Sequence, residues 1–238
     1  MNFLVIQHLD IEPPGLIGEL LQKAGHSIQT VHINRGEELP ADTAHMDGIV
    51  IMGGPQSAND SHLCYIRDEL QWLAARIDEG LPMIGICLGA QLMAKASGAH
   101  ILRSPVRELG WFPVYRTMAT ATDPLFSAMT DGQVVFQWHG ETFSISDSMT
   151  LLATHPDVPA QAFRLGQAQY GLQFHIEIDA AVIEQWIDYG ESERNHLGQA
   201  GIVNMRMAID ELMPTAHRFC TTLVNSWLEQ IHPSTERA

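Results

Sequence analysis

Basic residues are scarce in this chain: 13 Lys and Arg stand against 28 Asp and Glu in 238 residues, a formal net charge of −15. Such a balance repels phosphate backbones and anionic lipid, so neither nucleic acid nor a membrane surface is an expected partner. Cysteine is scarcer still. Cys64, Cys87 and Cys220 are odd in number and far apart, which argues against a disulfide framework or a zinc site of paired cysteines and fits a reducing compartment. No hydrophobic run is long enough for a membrane span. The opening Met1-Asn2-Phe3-Leu4-Val5-Ile6-Gln7-His8 has neither a basic leader nor the length of a signal segment, so a cytoplasmic location is expected. Internal repeats, low-complexity tracts and a Gly-Lys-Ser/Thr phosphate loop are all missing. The 12 histidines show no His-Glu-x-x-His spacing, so no metal, cofactor or nucleotide site is expected.

What remains is an ordinary globular composition, 45% hydrophobic and 17% charged, in which strands and helices alternate. Apolar runs at residues 3–6, 27–33, 48–52 and 83–86 read as strands, those at 3–6 and 48–52 apolar enough to lie buried in a parallel sheet. Helical spacing of Leu16, Ile17, Leu20 and Leu21, and of Leu63, Ile66, Leu70, Leu73 and Ile77, places helices between them. The pattern predicts an α/β fold with helices on both faces of a largely parallel central sheet. Short strands at 110–116, 133–138, 150–154, 161–165 and 168–174 make a β-rich extension. Helices at 180–189 and 202–231, separated by a polar stretch at 190–201, form a helical C-terminal tail that frays from Pro233 onward. Residues 1–238 are expected to form a single domain, with 180–238 as its helical extension.

The chemistry concentrates at Met83-Ile84-Gly85-Ile86-Cys87-Leu88-Gly89-Ala90-Gln91, a strand that breaks at a cysteine between two glycines and continues as a helix. A cysteine there meets unpaired backbone N–H groups and the positive end of a helix dipole, which favour a thiolate; glycine on either side permits a sharp turn and close approach of a substrate. The competing reading is a buried structural cysteine, as expected for Cys64 and Cys220. A cysteine nucleophile also needs a base and a group to orient it. His175 has a carboxylate at i+2 directly after the apolar strand at 168–174, and in extended chain Glu177 would share its side. Taken alone, such a pair is ordinary solvated surface. Trp186, Trp227, Met205, Met207 and Met213 read as packing.

Three separated motifs in order, Gly53-Gly54-Pro55 after a central strand, Gly85-Ile86-Cys87-Leu88-Gly89-Ala90-Gln91 and His175-Ile176-Glu177, resemble the class I glutamine amidotransferase family. Trp138-His139-Gly140-Glu141-Thr142-Phe143 is similar to a pattern of its stand-alone, GMP-synthase-like members. The resemblance covers residues 3–177 and implies that Cys87 attacks the γ-carboxamide of glutamine to form a thioester, with His175 as base then acid and Glu177 orienting it. It further implies an oxyanion hole from the N–H groups of Gly54 and Leu88, and a substrate pocket involving Gln91, His139, Gly140 and Glu141, with no cofactor. His139 reads equally as a satisfied structural histidine. Two positions depart from the pattern. Ile176 replaces the usual proline, which predicts a looser His175, and Glu141 replaces the usual aspartate, which unsettles any role in substrate selection.

Family members pass ammonia to a synthetase domain or subunit, and this chain has no phosphate loop for such chemistry, so the acceptor would be a separate partner. The expected function is a cysteine-dependent C–N hydrolase that releases ammonia from glutamine. The alternatives are a γ-glutamyl peptidase with the same thioester chemistry and, in another class, a non-catalytic regulatory or binding subunit.

Overall fold

The computed structural model describes residues 1–231. The chain begins β1 (Asn2–Gln7), α1 (Gly15–Lys23), β2 (Ser27–His32), β3 (Gly48–Ile51), α2 (Cys64–Asp78), β4 (Met83–Ile86) and α3 (Leu88–Ala96). It continues with β5 (Ile101–Arg116), β6 (Gln133–Phe143), β7 (Met149–Thr154), β8 (Ala162–Leu165) and β9 (Gln169–Leu172), then α4 (Ala180–Tyr189), α5 (Glu191–Met207) and α6 (Ile209–Gln230). All strands join one 9-stranded sheet in the order β2-β1-β3-β4-β9-β8-β7-β5-β6. Its first five strands are parallel and the remaining four run antiparallel, so the expected β-rich extension continues the same sheet.

Alternation along the central strands explains why both faces carry helices. On β1, Phe3 and Val5 meet Ile17 and Leu21 of α1 and Phe219, Leu223 and Trp227 of α6. Leu4 and Ile6 face the other way, against Ile66 and Leu73 of α2 and Leu92 and Met93 of α3. Burying each such apolar side chain contributes about 1.5–3 kcal/mol. Trp227 also donates through Nε1 to the Ala168 carbonyl at 3.0 Å, which pins the last helix across the sheet. The C-terminal helices thus close one face, and a third cluster, with Phe136, Ile183, Trp186, Ile202 and Met213, ties α4, α5 and α6 to β6.

Three expectations are corrected. Strand β5 begins at Ile101 rather than residue 110, because a register break between Arg103 and Glu108 and the intervening Pro105 erase the alternation from which a strand is read. Residues 191–201 are helical, the start of α5, with Gly198 (φ 61, ψ 175) kinking it; packing of Ile202 and Met205 overrides a polar, glycine-rich local sequence. The third concerns burial: Cys64, read as core, and Met207, read as packing, are both exposed, Met207 at 76%, whereas Cys220 is buried as expected. The expectation for Pro233 onward lies outside the described residues. Among the described residues, no helix is long and apolar enough to cross a membrane.

Candidate active site

Cys87 sits between β4 and α3 with φ 50 and ψ −105, the sole non-glycine residue at positive φ among the described residues. The turn is forced by close packing. A Cβ on Gly89 would lie 2.1 Å from the Ile51 carbonyl oxygen, and one on Gly85 would lie 2.7 Å from Gly89 backbone atoms. The two glycines therefore let α3 settle onto β3 and β4, and the space they leave is filled by backbone rather than by substrate. Leu88 opens α3, so its N–H has no intrahelical acceptor and faces outward at the positive helix end.

Strand β9 pairs with β4, and this register carries the chain from Leu172 to the side of the cysteine. His175 and Glu177 are 2% and 3% exposed, with Nδ1 to Oε1 at 2.7 Å. The imidazole also interacts with the Cys87 side chain. Burial alone would lower the His175 pKa; the charge of Glu177, the interaction with Cys87 and the hydrogen bond to Glu177 outweigh it and hold the imidazole well above its ordinary value.

Replacement of the family's proline does not loosen His175. The Ile176 N–H donates to Glu177 Oε2 at 2.9 Å, a bond no proline could make, while His175 N–H binds the Phe136 carbonyl at 2.8 Å. The Glu177 carbonyl takes the Leu16 N–H at 2.8 Å, and Gly15 presses so near it that a Cβ would come within 2.2 Å. The start of α1 thus clamps the segment that bears the base.

Cys87 and His175 open on a cavity of about 1510 Å³, whose walls include Glu12, Gly54, Gln91, His139, Gly140 and Glu141. Tyr189, Glu191, Glu193 and His196 from α4 and α5, and Arg103 and Arg107 from β5, form its outer rim. Gly54 lies against Leu88: a Cβ there would meet Leu88 Cδ2 and His8 Cβ, both at 2.8 Å. Gln91 Nε2 donates to the Glu141 carbonyl at 3.1 Å and to Gln173 Oε1 at 3.2 Å. The His139 ring is fully engaged, by the Glu141 carbonyl at Nδ1 (2.9 Å) and by Glu108 and Gln137 at Nε2 (3.0 and 3.1 Å). It is a satisfied histidine in the cavity wall, with only its backbone left for a ligand.

Four neighbours of the site escape sequence reasoning. Gln173 is fully buried with Nε2 3.8 Å from the Cys87 sulfur; its place two residues before His175 on the same face was a usable signal. Trp186, read as packing, sets its ring edge on His175 with centroids 4.6 Å apart, and donates to the Ile11 carbonyl at 2.9 Å. His8 lies beneath Gly54. Glu12 lies on Gly53, where a Cβ would be 2.2 Å from Oε2 and 3.3 Å from His175 Cε1.

Burial raises the Glu12 carboxyl from 4.5 to about 7, with Glu177 adding to the rise and His175 and His8 opposing it. A carboxyl whose folded value is raised adds stability that is complete below its unfolded value and is lost as pH rises through the folded one. Glu12→Gln should therefore gain stability on the wild type between pH 5 and pH 8. Because the carboxyl borders the cavity and is partly screened, the gain should be about 2 kcal/mol. Urea unfolding at the two pH values measures this; a difference independent of pH would refute it.

Comparison with known proteins identifies the family. Residues 15–184 match the family model described as glutamine amidotransferase class-I. The chain is 29% identical over 202 residues to the glutamine amidotransferase-like protein YfeJ of Salmonella typhimurium, covering 81% of this chain and 82% of that one. It is 34% identical over 143 residues to the GMP synthase [glutamine-hydrolyzing] of Porphyromonas gingivalis, covering 59% of this chain but 27% of that one, so it spans about a quarter of that relative's length. Crystal structures of glutamine amidotransferases from Thermotoga maritima and Methylobacillus flagellatus superpose with TM-scores of 0.87 and 0.89 at 25% and 27% identity. They cover 96% and 98% of this chain and 98% and 96% of theirs. With the family model spanning the cysteine elbow and the His175–Glu177 segment alike, the chain belongs to the class-I glutamine amidotransferase family.

Proposed function

We propose that this protein hydrolyses a γ-glutamyl amide through a Cys87 thioester, releasing ammonia from glutamine for a separate acceptor. The observation that carries the reading is the buried Cys87, His175 and Glu177 constellation, with its 2.7 Å imidazole–carboxylate bond, opening on the cavity. His175, beside the thiol, takes its proton as base, leaving the sulfur to attack the γ-carbonyl carbon. The carbonyl oxygen becomes an oxyanion held by the N–H groups of Gly54 and Leu88. Its collapse breaks the C–N bond, and His175 returns its proton to the departing nitrogen. Water, deprotonated by His175, then hydrolyses the thioester to glutamate. Gln91, the His139-Gly140 backbone and Glu141 would hold the α-amino acid end. Since α4 and α5 wall the same cavity, the helical extension belongs to the functional unit.

A γ-glutamyl peptide is the second reading, favoured by the volume of about 1510 Å³, which exceeds the upper end of ordinary small-ligand sites, roughly 1,000 Å³. Assay of free glutamine beside a panel of γ-glutamyl dipeptides separates the two. Ammonia from glutamine, with labelling of Cys87 by an electrophilic glutamine analogue, is the expected result. Preference for dipeptides would move the assignment to a peptidase. Neither turnover nor labelling with any of them would leave a non-catalytic subunit.

A further inference from the structure

Beneath the Gly53-Gly54 turn lies an ion pair that the amide chemistry above does not use. His8, directly after β1, and Glu69, on α2, are both 0% exposed, with His8 Nε2 2.9 Å and 3.1 Å from the two carboxylate oxygens. The other ring nitrogen, Nδ1, is 3.1 Å from the Met52 carbonyl oxygen. Both nitrogens thus face oxygens that only accept, an arrangement satisfied when both carry hydrogen. Burial opposes that charge, but Glu69, with smaller help from Glu12 and the Met52 hydrogen bond, outweighs it, so the imidazole is held above its ordinary value. Met52 is the last residue before the turn. The His8 Cβ also fills the space under Gly54, 2.8 Å from where a side chain would begin, with Leu88 pressing at 2.8 Å as well.

A buried ion pair does little for net stability, since desolvation offsets the attraction. Its contacts here converge on one piece of backbone. We propose that His8 and Glu69 are positioning residues for the oxyanion hole: His8 holds the Met52 carbonyl and wedges the Gly53-Gly54 turn, so that the Gly54 N–H stays aimed at the developing oxyanion. This rests on the thioester reading above and adds to it the support behind the Gly54 donor.

The double variant His8→Leu/Glu69→Leu removes both charges together and keeps the site filled, which avoids stranding either one. Its kcat should fall about 30-fold with KM within about twofold, less than the loss from deleting an oxyanion donor outright. Affinity for the γ-aldehyde of glutamate, which forms a tetrahedral adduct on Cys87, should fall by a similar factor. Alkylation of Cys87 by iodoacetamide should keep its rate, because displacement at a saturated carbon builds no oxyanion. Glu69→Gln keeps an acceptor for His8 and so the hold on Met52; its kcat should stay within about threefold of wild type. The inference is overturned if the double variant keeps wild-type kcat, if alkylation falls in step with adduct affinity, or if Glu69→Gln loses as much as the double variant. Should the double variant not fold, His8→Leu/Glu69→Gln, which keeps a polar group at 69 but frees the Met52 carbonyl, is read against Glu69→Gln; a kcat equal to that of Glu69→Gln overturns the inference. Failure of the unmutated protein to form any aldehyde adduct would instead overturn the thioester reading, and this inference with it.

Discussion

Cys87→Ala is expected to lower γ-glutamyl amide hydrolysis by about 10⁴-fold or more, the scale on which a nucleophile's removal collapses a coupled catalytic group. The loss should be in kcat. The cavity wall, with Gln91, the His139-Gly140 backbone and Glu141, is untouched by the change, so glutamine should still bind and shift the melting temperature of the inactive protein. A second comparison isolates the backbone from the sulfur. At φ 50 and ψ −105, any side chain at position 87 is strained, at a cost of about 1–3 kcal/mol, whereas glycine adopts such angles freely. Glycine loses more entropy on folding, roughly 0.5–1 kcal/mol, so Cys87→Gly should end about 1 kcal/mol more stable than Cys87→Ala and equally inactive. Denaturant midpoints for the two variants give the answer. An alanine variant that turns over would remove Cys87 as nucleophile, and an alanine variant more stable than the glycine one would remove the strain.

That strain links fold to chemistry. The turn exists because Gly85 and Gly89 let β4 and α3 approach until backbone touches backbone, and the tight turn between them holds the cysteine where β9 delivers His175. The elbow was legible in the sequence because it is local: strand, cysteine and helix lie within a few residues. His175 and Glu177 were legible for the same reason, since two residues of extended chain put both side chains together. What escaped comes from distant segments joined by the sheet order. His8 and Glu69 are 61 positions apart and meet because β1 and α2 flank the same turn. Glu12 lies in a loop that carries no motif, and only the packing of the β1–α1 connection against Gly53 makes it a half-buried acid beside the base. Trp186 has the spacing of a core residue and is one, but part of the core it packs against is the catalytic imidazole. In β5, a proline and a register break hid a strand whose irregular stretch forms part of the cavity rim.

Glu177→Gln, which changes one oxygen to an amide nitrogen, should cost about 10³-fold in kcat, because Glu177 uses both oxygens as acceptors. Oε1 takes the His175 Nδ1 proton at 2.7 Å and Oε2 takes the Ile176 N–H at 2.9 Å. Glutamine has a single oxygen, so one of those donors must face an N–H₂ group in a site only 3% exposed, where an unmet donor costs about 1–3 kcal/mol. Charge is lost as well. Burial lowers the His175 pKa and the Glu177 carboxylate is the largest influence raising it, so the imidazolium in the variant should give up its proton about one to three pH units earlier. The basic limb of kcat/KM should therefore move to lower pH by that amount, while Cys87→Ala has no limb to move. Stability follows the same sign. A raised histidine adds stability that is complete below its unfolded value, near 6.5, and is lost as pH rises through the folded one; the variant should show a weaker loss over that range. Rate profiles and urea unfolding across pH 5 to 10 test both. If the basic limb stays in place while the rate falls, Glu177 serves only to orient the ring; if the rate is unchanged, His175 needs no carboxylate, and the Ile176 N–H is the main reason for the residue's burial.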